Sequence, residues 1–260
     1  MNILDAIVSN TKDKLEKKKS KQTLEELSIK LKDLDLKKSV FKDSLMGKSK
    51  AIIAEIKKAS PSAGVISEDF DPVLKAKEYE SFGASALSIL TEEDYFQGSI
   101  QYLIDVKAKT YLPILRKDFI IDEYQIYQSK LYGADCILLI VSALSDSQLK
   151  EFKNIAESLD LDVLVEIHNQ AELERIQPID FPFIGINNRN LSTFEVDLKT
   201  TKELSLNLKD KLIVSESGIK TREDIDQILN YDVLNFLVGE SFMRAENPGT
   251  ELRKLFFSPE

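Results

Sequence analysis

Cysteine and histidine are almost absent from this sequence of 260 residues, which contains one of each. Because Cys136 has no second cysteine to pair with, an intrachain disulfide cannot form, and a secreted disulfide scaffold is excluded. The apolar residues around Cys136 indicate a buried thiol in a strand. The chain also lacks a histidine and cysteine cluster with metal-site spacing, and it lacks a Ser–His pairing signal. We therefore expect neither a metal nor a cofactor.

Long apolar runs are missing as well. No run approaches the roughly 20 residues that cross a bilayer, and the N-terminus has no apolar signal core followed by a cleavage site. Acidic residues outnumber basic ones by 44 to 35, so the formal net charge is −9. This balance argues against non-specific binding to nucleic acid or to an anionic membrane, although a local basic pocket is compatible with it. We expect a cytoplasmic protein, a monomer or weak homo-oligomer, with no nucleic-acid or membrane partner.

The first 45 residues show a helical pattern and no strand. Apolar residues recur at helical spacing in two sets, Ile3, Leu4, Ile7, Val8, Thr11 and Leu15, and then Leu24, Leu27, Leu31 and Leu34. The lysine-rich stretch 12–21 is interpreted as a solvated face or a connection. We predict a helical extension over 1–45 and a catalytic barrel over 46–260, which together form one domain.

The pattern changes after residue 50, where short apolar runs recur every 20 to 34 residues. These runs are Ala51–Ile56, Ser85–Leu90, Leu112–Leu115, Asp135–Val141, Asp162–Ile167, Phe183–Asn187, Leu212–Ser215 and Phe236–Val238. Continuous apolar runs of this kind are typical of parallel strands buried on both faces. Hydrophobic residues make up 43% of the chain and charged residues 30%, which is enough apolar material for a real core.

Helix signals separate these runs. Helix starts are predicted at Asp71 before Pro72, at Ser145 with Gln148 three residues later, and at Thr221 with acids behind it. Gly83 and Gly133 each precede a strand and suit a left-handed helix terminus. Eight βα units favour a (β/α)8 TIM barrel with an N-terminal helical extension, although an open doubly wound sheet would show similar local patterns.

Charged or polar residues stand at the carboxyl end of most predicted strands. Glu55 and Lys57 are two residues apart in strand one and so share a face. Further such residues follow strands three, five, six and seven: Lys117, Glu166, Asn187, Arg189 and Glu216. One interpretation is structural ion pairing. The recurrence favours an active site, because barrel active sites lie at this end.

Three neighbours of these residues are ambiguous. Arg116 and Lys117 are adjacent, so they point to opposite faces, and only one can face the lumen. Asp118 is at least as well interpreted as a structural carboxylate as a functional one. His168, two residues after Glu166, invites a catalytic role, but a lone histidine at a strand end is more often structural or exposed.

Glycines indicate where a phosphate could bind. Gly218 follows strand seven and Gly239 ends strand eight, and the loops after these strands form the usual phosphate site of barrel enzymes. The loop 60–64 after strand one could supply hydroxyl donors from Ser60 or simply be a turn. No P-loop motif of the Walker form is present, so a nucleoside triphosphate is not suggested.

Seven stretches over residues 53–243 carry a family resemblance: Ile53–Ser62, Leu87–Glu92, Leu115–Ile120, Leu164–His168, Gly185–Leu191, Val214–Ile219 and Leu237–Met243. In this order, they make the chain resemble the indole-3-glycerol-phosphate synthase family. Each stretch is modestly specific, whereas the ordered set is highly specific. One departure is Ala63, where many members have lysine, and it affects loop contacts and not the catalytic set.

The resemblance implies ring closure, decarboxylation and dehydration of 1-(2-carboxyphenylamino)-1-deoxyribulose 5-phosphate, which gives indole-3-glycerol phosphate, CO₂ and water in tryptophan biosynthesis. It implies Lys117 as general acid and Glu166 as general base, with Lys57 as a carboxylate holder or second acid. Further roles follow from it for Glu55, Asn187, Glu216 and Ser217 in the catalytic set, for Ser60, Phe96, Phe119, Leu138 and Arg189 in substrate binding, and for Gly218, Gly239 and Glu240 in phosphate binding. Leu90, Phe96, Phe119 and Leu138 are equally well interpreted as ordinary core.

Three alternatives remain open. Phosphoribosylanthranilate isomerase, another phosphosugar barrel, typically needs a cysteine early in the barrel, whereas Cys136 lies in strand four. A non-catalytic phosphosugar-binding protein would not need Lys117 and Glu166. A helical interaction module led by the first forty residues is secondary, because the βα region is so long.

Overall fold

Eight parallel strands close into a barrel in the computed structural model, which describes residues 3–32, 37–191 and 193–257. The barrel strands are β1 Ala51–Ile56, β2 Ala86–Leu90, β3 Ile114–Lys117, β4 Cys136–Ile140, β5 Asp162–Ile167, β6 Phe183–Asn187, β7 Leu212–Glu216 and β8 Asn235–Val238. Each strand pairs with the next, and β1 pairs with β8 from Ala51 opposite Asn235 to Ala54 opposite Val238. Because the first and last strands pair, the open-sheet alternative is excluded.

Helices precede the barrel and follow its strands. Three lie in the extension, α1 Ile3–Lys19, α2 Leu24–Lys32 and α3 Phe41–Leu45. The barrel helices are α4 Pro72–Ser81, α5 Ile100–Lys107, α6 Glu123–Leu131, α7 Asp146–Ser158, α8 Gln170–Ile176, α9 Lys199–Ser205, α10 Arg222–Leu229, α11 Glu240–Met243 and α12 Pro248–Phe256. Short 3₁₀ turns lie at Val141–Ala143 and Gln177–Ile179, and a small hairpin pairs Ala59–Ser60 with Gly64–Val65.

The predicted helix starts are confirmed. The Asp71 side chain accepts hydrogen bonds from the N–H groups of Val73 and Leu74, and capping boxes join Ser145 to Gln148 and Thr221 to Asp224. Gly83 and Gly133 adopt φ angles of +96° and +90°, which only glycine adopts at little cost. These caps fix where each helix leaves and returns to the barrel.

The predicted bounds of strand three are wrong. The strand begins at Ile114 and ends at Lys117, two residues later than the predicted run Leu112–Leu115. Leu112 and Pro113 lead into the strand, because proline has no N–H to donate to a ladder. Lys117 is therefore the last residue of β3, and Glu216 is the last residue of β7, as predicted.

The core has two layers. An outer layer lies between the strands and the helices, and an inner cluster fills the lumen. The lumen cluster includes Phe41 and Leu45 from α3, and the ring of Phe41 lies 6.1 Å from that of Phe183. Helix α3 thus closes the amino-terminal end of the barrel.

The first two helices lie on the outside of the barrel. Leu4, Ile7 and Leu15 of α1 are buried, as are Leu27 and Leu31 of α2. The predicted Leu34 lies outside the described residues.

The prediction that residues 12–21 are a solvated face or a connection is confirmed for most of the stretch, because Lys12, Asp13, Glu16 and Lys17 are exposed on α1 and residues 20–21 form the turn after it. Helix α1 continues to Lys19, and its lysines pair with acids of the barrel loops. Nζ of Lys14 lies 2.9 Å from Glu93 and 2.7 Å from Asp94, and Nζ of Lys19 lies 2.7 Å from Asp122.

Among the described residues, none of the helices is long and apolar enough to cross a membrane.

Candidate active site

A cavity of about 430 Å³ opens at the carboxyl ends of the barrel strands. Its wall includes side chains from the ends of all the odd-numbered strands and from the loops after β6, β7 and β8. Ile3, Leu4 and Ile7 of α1 also line it, so the extension covers part of the mouth. This is the end of the fold where barrel enzymes carry out their chemistry.

Four charged residues form the top layer of the lumen. Glu55, Lys117, Glu166 and Glu216 belong to β1, β3, β5 and β7. Alternate strands of a barrel contribute side chains to the same layer, so these residues meet although they are far apart in the chain. Nζ of Lys117 lies 2.9 Å from Oε2 of Glu166 and 2.6 Å from Oε2 of Glu216. The side chain of Lys117 is 14% exposed, and those of the two glutamates are nearly fully buried.

The surroundings of Lys117 hold it in the charged form. Burial alone would lower its pKa, but the negative charges of Glu166, Glu216 and Glu55 outweigh burial and raise the pKa. Lys117 is therefore protonated at neutral pH, the form that a general acid requires.

The two glutamates differ in their protonation. Burial and the nearby Glu166 carboxylate raise the pKa of Glu216 to about 7, although Lys117 opposes this. Burial also disfavours the charge on Glu166, but Lys117 and His168 outweigh it and hold its pKa below the usual value. A carboxylate base and a carboxyl group that titrates near neutral pH thus flank one ammonium group.

Glu55 and Lys57 share a face of β1, as predicted, and form an ion pair of 2.5 Å. The Lys57 side chain is 15% exposed and lines the cavity. Gly239 packs so closely against Glu55 that a Cβ at position 239 would clash with the Glu55 carboxylate. Glu55 is therefore placed to orient Lys57, as the sequence suggests.

Asn187 is the last residue of β6, and Arg189 lies two residues later in the loop. Nδ2 of Asn187 donates to Oε1 of Glu166 over 3.2 Å, and Oδ1 of Asn187 accepts from the N–H of Arg189 over 3.0 Å. The Arg189 guanidinium donates to Oγ of Ser62 over 3.4 Å and lies 3.6 Å from Glu240. Arg189 thus links the loops after β1, β6 and β8 at the rim of the cavity.

The loops after β7 and β8 bring the predicted phosphate residues together. Ser217 and Gly218 both adopt positive φ angles, +66° and +84°, so the backbone turns sharply where β7 ends. Gly239 and Glu240 line the same cavity at the start of α11. N–H groups in a first helical turn have no intrahelical acceptor, so they are available to an anion.

The carboxylate of Glu240, one of the predicted phosphate-binding residues, is ill suited to binding a phosphate. The carboxylate lies 3.0 Å from Arg244 as well as 3.6 Å from Arg189, and it bears the same charge as a phosphate. Any contribution of this residue to anion binding therefore comes from its backbone N–H.

An apolar wall faces the charged layer. The rings of Phe96 and Phe119 lie 6.1 Å apart, and Leu90 and Leu138 line the same cavity. Ser60 also lines it, and its Oγ accepts from the N–H of Ala63 over 3.2 Å, so that hydroxyl stabilises the turn of the hairpin. All the predicted site residues thus line one cavity.

Arg116 points away from Lys117, as their adjacency predicts. Its buried guanidinium lies 2.9 Å from Asp118 and donates to Thr91, Gln128 and Ser129 behind the barrel wall. Asp118 is accordingly the structural partner of Arg116.

Several residues of the site are not evident from sequence alone. His168 contacts Glu166. The only sign of this contact in the sequence is that His168 follows Glu166 by two residues. Arg244 and Leu191 line the cavity from positions that no strand-end pattern marks. The same holds for the three α1 residues, because helical periodicity shows which face is apolar but not what covers it.

The closed barrel and the lysine–carboxylate layer at its carboxyl end are the arrangement of a (β/α)8-barrel enzyme. The family model for indole-3-glycerol phosphate synthase matches residues 4–255. An indole-3-glycerol phosphate synthase from Polaromonas naphthalenivorans (strain CJ2) is 55% identical over 207 residues, which cover 79% of each protein. The chain belongs to the indole-3-glycerol phosphate synthase family.

Two solved structures share the fold at low identity. KGPDC from Streptococcus mutans has a TM-score of 0.60 at 13% identity, with 80% of this chain and 96% of that chain covered. A 3-hexulose-6-phosphate synthase has a TM-score of 0.63 at 13% identity, with 79% and 97% covered. At this low identity, the two structures support the TIM-barrel fold alone.

The family membership confirms the predicted class of activity. The family comprises carboxy-lyases of tryptophan biosynthesis that act on a phosphorylated small molecule, so the expectations of a lyase and of a small phosphorylated substrate are confirmed. The isomerase, the non-catalytic binding protein and the helical interaction module are set aside.

Proposed function

We propose that this chain converts 1-(2-carboxyphenylamino)-1-deoxyribulose 5-phosphate to indole-3-glycerol phosphate, CO₂ and water, with Lys117 as general acid and Glu166 as general base. The observation that carries the proposal is the position of Lys117 between Glu166 and Glu216, at 2.9 and 2.6 Å, in one buried layer. A single ammonium group between two carboxyl groups can both give and recover protons.

The reaction needs two protons at oxygen and releases one from carbon. Ring closure turns the ketone oxygen into a hydroxyl, and dehydration turns that hydroxyl into water. Aromatisation of the new ring then removes a proton from carbon. Because a carboxylate leaves as neutral CO₂, the reaction takes up one proton overall, which matches a site with one acid held in its charged form.

Lys117 supplies the protons at oxygen, and Glu166 accepts the proton from carbon. Glu216, whose pKa burial and Glu166 raise to about 7, lies within hydrogen-bond distance of Lys117 and can return a proton to it. Lys57 holds the carboxylate of the substrate or acts as a second acid, and Glu55 positions it at 2.5 Å. Asn187 keeps Glu166 aligned, and Ser217 completes the wall beside Glu216.

The phosphate and the aromatic ring bind at different parts of the cavity. Backbone N–H groups at Gly218, Gly239 and Glu240 receive the phosphate, together with the guanidinium of Arg189 and the hydroxyl of Ser60. The apolar wall of Phe96, Phe119 and Leu138 receives the carboxyphenyl ring.

The charge and the core of the enzyme bear on its location, its partners and its domain organisation. We propose a cytoplasmic enzyme, a monomer or weak homo-oligomer with no nucleic-acid or membrane partner, as the net charge of −9 favours. Residues 1–45 and 46–260 fold as one domain, because Phe41 and Leu45 belong to the lumen core.

Product fluorescence tests the proposed reaction. Purified protein mixed with the carboxyphenylamino substrate, without added metal or nucleotide, is expected to give the fluorescence of an indole. A folded protein that gives no signal across pH 6 to 9 would show that the proposed reaction is wrong.

A further inference from the structure

His168, the one histidine of the sequence, lies between two carboxylates behind the active site. Its Nε2 lies 3.2 Å from Oε1 of Glu166, and its Nδ1 lies 3.0 Å from Oε2 of Glu172. The His168 side chain is 8% exposed and that of Glu172 is 12% exposed, so both are shielded from water. A buried imidazole with a carboxylate on each nitrogen is stable as the doubly protonated cation.

Glu172 is held rigidly on its own element. It is the third residue of α8, and its N–H donates to the Asn169 side chain over 3.0 Å. Its carboxylate accepts from the backbone N–H of His168 over 2.9 Å and from Asn169 Nδ2 over 3.1 Å. The amino end of the helix favours this negative charge. Glu172 is thus a fixed anion behind the imidazole.

The contact between His168 and Glu166 is close but not aligned. Nε2 of His168 is buried and forms no linear hydrogen bond with any described residue, although Oε1 of Glu166 is 3.2 Å away. Catalytic hydrogen bonds in enzymes without substrate are often long or poorly aligned and tighten when substrate binds. A small rotation of the Glu166 carboxylate would bring its Oε1 into line with this donor.

We propose that His168 and Glu172 form a positioning pair that keeps Glu166 ionised and fixes the direction of its carboxylate. The inference rests on the proposed role of Glu166 as the general base. Charges then alternate from the cavity outwards, from Lys117 of β3 through Glu166 of β5 and His168 to Glu172 of α8. Glu216 of β7 faces the same lysine, and the uncharged Asn187 of β6 donates to the oxygen of Glu166 that faces His168.

The pair has a chemical function in the catalytic cycle. When Glu166 takes a proton from the carbon of the substrate, the cation beside it favours release of that proton and return to the ionised base. Burial would lower the pKa of His168, but the carboxylates of Glu166 and Glu172 on either side outweigh burial and raise it to about 10, so the cation persists through neutral pH.

The first test is a titration that does not depend on activity. Because the untagged chain has one histidine, long-range ¹H–¹⁵N NMR observes His168 alone. The midpoint is expected near pH 10, and Glu172→Gln is expected to lower it by at least one pH unit, since the amide still accepts from Nδ1 but carries no charge. A midpoint near 6.5 that Glu172→Gln leaves in place would overturn the inference.

The second test separates positioning from a purely structural role. His168→Gln places a neutral amide donor near Glu166, whereas His168→Asn keeps a donor only towards Glu172. Both are expected to lower kcat by roughly 10- to 100-fold, a part of what a positioned base contributes. KM is expected to stay within about threefold, because neither residue lines the cavity.

The pH profiles of these variants show in which direction the pKa of Glu166 moves. Removing the cation raises the pKa of Glu166, so the acid limb of kcat/KM is expected to move to higher pH, further in His168→Asn than in His168→Gln. Matched falls in kcat and thermal stability with an unmoved acid limb would show a structural role only and overturn the inference. If the wild type produced no indole product but the NMR midpoints behaved as expected, the proposed reaction would fail and the ionic pair would stand.

Discussion

Lys117 donates a hydrogen bond of 2.6 Å to Glu216, from the last residue of β3 to the last residue of β7. These positions are 99 residues apart in sequence and face each other across the barrel lumen. The short contact joins the proposed general acid to the carboxyl group whose pKa burial and Glu166 raise to about 7. Substitutions at Lys117 and at Glu216 test the two ends of this contact.

Replacing the lysine should remove turnover while leaving the cavity in place. Lys117→Met keeps the length of the side chain but has no proton to give, so kcat is expected to fall by about 10²- to 10⁴-fold. KM is expected to change much less, because the phosphate and ring contacts remain. Product fluorescence over a range of substrate concentrations gives both constants. The control is Lys77→Met on the exposed side of α4, and near-normal kcat in Lys117→Met would refute the acid assignment.

Neutralising Glu216 should shift the basic limb of the pH profile. The charges of Glu166, Glu216 and Glu55 together raise the pKa of Lys117. Glu216→Gln removes one of them, so the pKa of Lys117 falls and the protonated acid is lost at lower pH. The basic limb of kcat/KM is therefore expected to move to lower pH, and the exposed Glu174→Gln serves as the control. An unchanged basic limb would mean that the group titrating there is not Lys117.

Gly185 of β6 leaves space for the Glu216 carboxylate, since a Cβ at that position would clash with its Oε1. Gly185→Ala is expected to displace the carboxylate and to lower kcat by about 100-fold, the cost of a shift of about 1 Å in a catalytic group. The double variant Gly185→Ala with Glu216→Ala restores the space but not the carboxyl group. Urea unfolding should show that Gly185→Ala alone loses stability and that the double variant recovers part of this loss. The kcat of the double variant should stay low. Additive losses of stability would contradict the proposed clash.

The buried guanidinium of Arg116 should matter for folding and not for chemistry. Arg116→Met leaves Asp118 ionised without its partner at 2.9 Å, so the free energy of unfolding is expected to fall by about 3–5 kcal/mol. Adding Asp118→Asn to the same variant removes the unpaired charge and should recover part of the loss. Urea unfolding of both variants gives the comparison. A loss below about 1 kcal/mol in the single variant would show that the pair contributes little.

The charged layer shows why so much of the site can be predicted from sequence. Each charged residue stands two positions after an apolar residue that fills the lumen, as Lys117 does after Leu115 and Glu216 after Val214. The alternation of a strand therefore places these charges in the lumen, and the strand end places them at the active face.

The pairing within the layer could not be predicted in the same way. It depends on the stagger of the strands around the barrel, which no local pattern records, so the short contact from Lys117 to Glu216 was not foreseen. The strand bounds around Lys117 were misjudged because a charged strand end resembles a loop. The sequence leaves His168 open between a catalytic role and a structural or exposed one, because it shows neither the contact with Glu172 nor the burial of the ring.

Helix α3 has a consequence for the order in which the protein assembles. Phe41 lies 6.1 Å from the ring of Phe183, and Oγ of Ser39 donates to Asp162 over 2.5 Å. Ser39 and Phe41 therefore cannot form these contacts until β5 and β6 have been synthesised. The amino-terminal end of the barrel is therefore closed only when both halves of the chain are present.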